Sequence, residues 1–230
     1  MTSHVLGPFA FTFEDKVISG DYYGTGYLEE LREAATRALA SGGSILEWGS
    51  GISTLMLANL VNTLNERPLV TPRMRAQIVT IDNNEPYLHA VLAAMPDKLN
   101  VLAVACSLSG PCHDQLDLPL GYATVPFALA HPAPWKLIVI DGRRRMECAL
   151  MAAMLANDDT IIMLHDYRRL RYQPVLGLYD IVADQPQYRA MRVSTKTRLT
   201  LAQGRTAMFD AHLDDDLRAK ALAGIKILCG

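Results

Sequence analysis

No stretch of about 18 consecutive apolar residues occurs in the 230-residue chain, so no membrane-spanning helix is expected. The first residues, MTSHVLGPFAFTFEDK, lack the basic start and long apolar run of a secretory signal. Cysteine is scarce: Cys106, Cys112, Cys148 and Cys229 are scattered without CxxC spacing, which excludes a disulfide framework and a cysteine zinc site and suits a reducing compartment. Basic charge is not in excess either. Twenty-two Lys and Arg stand against 24 Asp and Glu, a formal charge of −2, which argues against nucleic acid as a partner. Internal repeats and low-complexity segments are also missing. A soluble cytoplasmic protein with neither a nucleic-acid nor a membrane partner is expected, and the sequence leaves its oligomeric state open.

What is present is apolar material, 50% of the residues, enough for a sizeable core. It is arranged as short β-branched runs alternating with stretches of helical period. The runs SILEW (44–48), QIVTID (77–82), NVLAVACS (100–107), KLIVID (136–141) and TIIMLH (160–165) read as strands buried on both faces, as in a parallel sheet. Residues 53–64, 85–95 and 146–156 read as right-handed crossover helices, and 27–40 as a further helix closed by Ser41-Gly42-Gly43. Residues 108–135 hold five prolines without a period and read as a long insertion. Beyond Arg171 the pattern suggests a helix over 175–183, a strand pair from AMRVS and TRLTLA, and a last helix over 207–223.

The most informative segment is ILEWGSGISTLMLANL, a strand running through Gly49-Ser50-Gly51 directly into a helix. In an open parallel sheet, ligands bind beyond the carboxyl ends of the strands, where this turn lies. Its glycines remove Cβ atoms that would hold a ligand off the backbone, and amides of the following helix offer donors. Asp82 ends the next strand, where a carboxylate can accept from both hydroxyls of a ribose. Turn and acid together indicate a nucleoside-containing cofactor. The nicotinamide fingerprint requires a third Gly or Ala where this chain has Thr54, and Glu47 would sit badly beside a pyrophosphate. That acid suits a molecule with an amino group and a sulfonium, as in S-adenosylmethionine.

The Glu47-Trp48-Gly49-Ser50-Gly51 turn resembles the first motif of the class I S-adenosylmethionine-dependent methyltransferases, over roughly residues 44–167. The resemblance implies an α/β fold with a doubly wound, mainly parallel seven-stranded sheet and an antiparallel C-terminal strand. It implies that Glu47 approaches the methionine amino group and that Gly49, Ser50 and Gly51 pack on the methionine part. Asp82 and Asn83 would hold the ribose and Ser107, beside Cys106, would lie near the adenine, although the family commonly has an acid there. Ser53 and Thr54 are further candidate contacts at the helix start. The chain then divides into an N-terminal helical cap (1–43), a cofactor-binding core (44–167) containing a substrate-loop insertion (108–135), and C-terminal strands and helix (168–230), all one domain.

Asp141 after the fourth strand and His165-Asp166 after the fifth emerge at the same sheet edge. Here the resemblance narrows to metal-dependent small-molecule O-methyltransferases, in which ligands at these positions hold Mg²⁺. His165 departs from that pattern, which has an acid or amide there. With a metal, the cation would lower the pKa of a substrate hydroxyl. Without one, His165 is the general base, since histidine ordinarily titrates near neutrality, and Asp166 or Asp141 orients it. Arg143, Arg144 and Arg145 follow the fourth strand, and Arg168, Arg169 and Arg171 the fifth. Arg143 and Arg168 are accordingly candidates for an anionic acceptor such as a carboxylated or phosphorylated metabolite. Tyr22, Tyr23, His113, Asp114 and Tyr122 are candidates for closing the pocket. The expected activity is methyl transfer to a hydroxyl of an anionic or sugar-like small molecule. The rivals are a nicotinamide-dependent oxidoreductase and a catalytically silent methyltransferase-like binding domain.

Overall fold

The computed structural model describes residues 9–20, 25–40, 42–66, 77–108, 121–129, 134–201 and 226–229. The chain opens with a hairpin, β1 (Ala10–Phe13) and β2 (Lys16–Ser19), followed by α1 (Thr25–Ala38). Then come β3 (Ser44–Trp48), α2 (Ile52–Asn65), β4 (Gln77–Asp82), α3 (Glu85–Ala93) and β5 (Val101–Ala105). A short turn of helix and α4 (Val125–Ala128) lead to β6 (Trp135–Ile140), α5 (Arg145–Leu155), β7 (Ile161–His165), α6 (Gln173–Leu176), β8 (Tyr179–Asp184), β9 (Tyr188–Val193) and β10 (Lys226–Cys229). Among the described residues, no helix is long and apolar enough to cross a membrane.

The hairpin stands apart as a two-stranded sheet, and the other eight strands form one sheet ordered β10-β5-β4-β3-β6-β7-β9-β8. The five strands from β5 to β7 are parallel, and β9 runs antiparallel to both β7 and β8. This is the doubly wound, mainly parallel sheet expected, with its antiparallel end. An eighth strand, β10, is added antiparallel to β5. The apolar run of each parallel strand divides between two cores, because successive side chains point to opposite faces. In β3, Ile45 joins the core under α1, α2 and α3, whereas Leu46 and Trp48 join the one under α5.

The strand register aligns the candidate residues. Trp48 pairs with Ile81 on one side and Ile140 on the other, and Ile140 pairs with Leu164. One residue further on, Gly49, Asp82, Asp141 and His165 fall in a single row along the carboxyl edge of the sheet.

Three expectations about the tail and insertion are corrected. The helix expected over 175–183 is the last two residues of the single-turn α6 followed by strand β8, the break falling at Gly177. Of the expected strand pair, AMRV lies in β9, but residues 195–201 are helical. The Ser194 hydroxyl accepts from the Thr197 amide at 3.2 Å, an N-cap that overrides the alternating pattern of TRLTLA. Tyr122 is not a pocket flap: it is buried at 1% exposure, its hydroxyl donates to the Ile81 carbonyl, and its own carbonyl accepts from Trp48 Nε1. Tyr22, Tyr23, His113, Asp114 and the helix expected over 207–223 lie outside the described residues. The cap expected to be helical also contains the β1–β2 hairpin, whose Phe11 and Phe13 pack edge-on against Tyr87 of α3.

Candidate functional site

Gly49 leaves β3 with φ +96°, a conformation that favours glycine. Its amide donates to the Ile81 carbonyl at 2.8 Å, while the Trp48 carbonyl accepts from the amides of Asp141 and Gly142 at 2.9 and 2.7 Å. The turn is thus sewn to its neighbours on both sides. No Lys or Arg occurs between residues 44 and 66, so nothing basic in the turn opposes a cationic ligand.

Asp82 holds this turn in place. Its Oδ2 accepts from both the amide and the hydroxyl of Ser50, each at 2.8 Å, and its Oδ1 accepts from the Asn84 amide at 2.8 Å. Burial raises its pKa above the ordinary carboxylate value, against the lowering effect of those hydrogen bonds. Asn83 is half-buried beside it and Ser107 is exposed beyond β5. Tyr87 lies close enough that burial, with the charges of Asp82, Asp141 and Glu47, pushes its phenol up to about 12.

Glu47 is fully buried. Alternation along β3 points it to the face that Ile45 shares, under the start of α2. There it accepts from Ser53 Oγ at 2.6 Å, Thr54 Oγ1 at 2.6 Å and, from the residue paired with it in register, Thr80 Oγ1 at 2.8 Å. Thr54 Oγ1 in turn accepts from the Gly51 amide at 2.8 Å. Ser53 and Thr54 therefore direct their hydroxyls beneath the turn onto Glu47. Burial raises Glu47 to about 7, more than the three hydrogen bonds lower it, and Asp141 adds to the rise.

The second half of the site joins β6 and β7. His165 Nδ1 lies 2.9 Å from Asp141 Oδ1 and 3.9 Å from Asp166 Oδ1. The ring of Tyr27, from α1, packs on the imidazole with centroids 4.8 Å apart. Arg145 turns back from the start of α5 and donates from Nε to the Gly142 carbonyl at 2.9 Å, from Nη1 to the His165 carbonyl at 2.7 Å and from Nη2 to the Asp141 carbonyl at 2.8 Å. The same guanidinium lies 2.9 Å from Asp141 Oδ1 and 3.4 Å from Asp166 Oδ2, and Arg169 also pairs with Asp166. Arg143 and Arg168 are exposed on the rim.

Tyr27 and Arg145 are the site residues that sequence reasoning undervalued. Tyr27 belongs to the same DYYGTGY segment as the two tyrosines chosen instead. The sequence groups Arg145 with Arg143 and Arg144 after the fourth strand, but it directly follows a left-handed Arg144 (φ 47°) and turns back over the strand ends.

The donor set fits a cationic nucleoside: a bare turn, a strand-end carboxylate beside it, a second buried acid below, and no basic group in the turn. It does not fit a divalent metal. Asp141 and Asp166 already face one guanidinium, which would repel a dication placed between them. Among the described residues, no group of three or more His, Cys, Asp or Glu is disposed to hold a metal ion.

The fold is that of the class I methyltransferases. The chain is similar to a methyltransferase-like protein from Silicibacter pomeroyi DSS-3, with TM-score 0.52 and 20% identity over 78% of this chain and 94% of that one. It is also similar to the calicheamicin methyltransferase CalS11, with TM-score 0.51 and 11% identity over 72% of this chain and 77% of that one. No family model matches the chain, and no curated protein matches it in sequence.

Proposed function

We propose that this chain transfers a methyl group from S-adenosylmethionine to a small-molecule acceptor, at a hydroxyl oxygen of an anionic or sugar-like substrate. The observation that carries the reading is the single row of Gly49, Asp82, Asp141 and His165 along the carboxyl edge, on the strand order of this fold. When bound, the cofactor supplies a methyl group on a sulfonium, already activated toward attack.

The chain's own residues do the rest. Asp82 and Asn83 would hold the ribose, and Gly49, Ser50 and Gly51 would border the methionine part. Ser107, two residues beyond β5, would border the base. Glu47 supplies negative charge from below the turn rather than by direct contact, since its carboxylate is enclosed by three hydroxyls. His165 faces Asp141 through Nδ1, so a proton leaving an acceptor hydroxyl is taken at Nε2. Asp141 fixes the tautomer and stabilises the imidazolium that results. Fixed geometry supplies much of the rate, because orienting the oxygen is the main demand left. Arg143 and Arg168 on the rim suit an acceptor that carries a carboxylate or phosphate. Residues 1–43, 44–167 and 168–230 act as one domain, with 108–135 contributing to acceptor choice.

Calorimetry with S-adenosylhomocysteine tests the reading first. Binding to the wild type, weakened in Asp82→Asn, supports it. No heat with either cofactor form, with stabilisation by NAD(H) instead, would replace it with the oxidoreductase reading.

A further inference from the structure

Arg145 occupies the first position of α5, where a positive charge opposes the helix dipole. Its side chain does not stay on the helix. It folds back across the carboxyl ends of β6 and β7, is 11% exposed, and uses all three guanidinium nitrogens on three backbone carbonyls from the two strand ends. The same group meets Asp141 at 2.9 Å and Asp166 at 3.4 Å and lies over the ring of Tyr172 at 5.8 Å. These two acids, with His165, are the residues that a metal-dependent arrangement would use as ligands.

From this geometry we infer that Arg145 is the resident cation of the site: its guanidinium takes the place of a divalent metal between Asp141 and Asp166, makes the site metal-independent and holds the His165–Asp141 pair in position. The inference rests on the methyltransferase reading of the same site and extends it to the source of positive charge. A guanidinium is planar and permanently charged, and its fork can bridge two strand ends and two carboxylates at once. It cannot act as a Lewis acid on the acceptor oxygen. The proton must therefore go to a protein base, and Asp141 is left to orient His165 rather than to ligate a metal. Arg145 is a positioning residue, acting through Asp141 and His165.

The test is Mn²⁺ binding, read by loss of the free-ion paramagnetic resonance signal, on the wild type, Arg145→Ala and Arg145→Lys, with folding checked by circular dichroism. The wild type is expected to take up no Mn²⁺ at millimolar concentration, and its melting temperature is expected to be indifferent to chelator. Arg145→Ala leaves Asp141, Asp166 and His165 without the cation that pairs with both acids and is expected to gain Mn²⁺ affinity at least tenfold, a gain abolished in Asp141→Asn/Arg145→Ala. Arg145→Lys keeps a charge without the fork and is expected to exclude Mn²⁺ while lowering the melting temperature. Micromolar Mn²⁺ binding by the wild type, or a folded Arg145→Ala that gains none, overturns the inference. If Arg145→Ala does not fold, wild-type binding and the Arg145→Lys result decide alone. Cofactor and acceptor are absent from these measurements, so failure here is separable from failure of the methyltransferase reading, which calorimetry with S-adenosylhomocysteine reports.

Discussion

A Cβ atom placed on Gly49 would lie 2.4 Å from the backbone nitrogen of Gly142, and one placed on Gly142 would lie 2.8 Å from the backbone nitrogen of Gly49. The turn after β3 and the turn after β6 are therefore in backbone contact. The two halves of the candidate site, one suited to a nucleoside and one carrying Asp141 and His165, meet at this pair of glycines.

Gly49→Ala is expected to lose about 2 kcal/mol or more of stability, from the positive φ and from the clash with backbone that cannot swing aside. Urea titration of the variant checks this. Gly142→Ala meets the Tyr122 hydroxyl in addition and should be at least as damaging.

Asp82→Asn keeps one oxygen to accept from Ser50 but turns an amide nitrogen toward the Asn84 amide, so a modest loss of stability, about 1 kcal/mol, should accompany it. Affinity for S-adenosylhomocysteine should fall about tenfold or more, because a neutral amide is a poorer acceptor for ribose hydroxyls. Calorimetry and thermal melts on the same sample separate the two effects.

Glu47 carries a pH signature. With the folded-state value near 7 and the ordinary value at 4.5, the native protein holds a proton between those limits that the unfolded chain has released. Stability from this group is complete below about pH 4.5, falls as pH rises to about 7, and is level above that, a loss of about 3 kcal/mol. Asp82, also raised, slopes the same way. Glu47→Gln should flatten most of the decline in denaturant midpoints measured from pH 4.5 to 8. A cation settling above the turn would favour the ionised acid. Calorimetry at pH 6.5 in two buffers of different ionisation enthalpy should therefore register proton release on binding S-adenosylmethionine.

His165→Ala should lower turnover by about 10²–10⁴-fold, the range for a lost general base, with cofactor affinity retained. Asp141→Asn should follow it in direction. If both variants kept wild-type turnover on an identified acceptor, the base assignment would fail.

For an anionic acceptor, Arg143→Ala and Arg168→Ala should each raise KM with little change in kcat, since both side chains sit exposed on the rim rather than at the reacting oxygen. An unchanged KM removes the anionic character from the proposal.

The central strands were legible because each is an uninterrupted apolar run that must be buried on both faces. SILEW and QIVTID match β3 and β4 residue for residue. The motif residues were legible for the same reason, since they end those runs. What the one-dimensional pattern did not carry was direction. It located Glu47 but did not say that alternation turns it away from the cleft and under α2, where Ser53, Thr54 and Thr80 enclose it. It located three consecutive arginines but not that Arg145 folds back across the ends of β6 and β7. The tail misled because the apolar spacing of residues 175–183 suits a helix, whereas pairing with β9 draws residues 179–184 into an edge strand, with Ile181 and Val182 exposed at 56% and 51%.

That border strand also bears on contact between copies of the chain. The β8–β9 pairing slips in register between Ile181 and Ala183, and Asp180 and Asp184 are exposed on either side of the slip. A neighbouring copy laid along this margin would find an uneven row of amides and carbonyls and would bring carboxylates toward carboxylates. Growth of the sheet from molecule to molecule is thereby discouraged even where apolar side chains show at its hem.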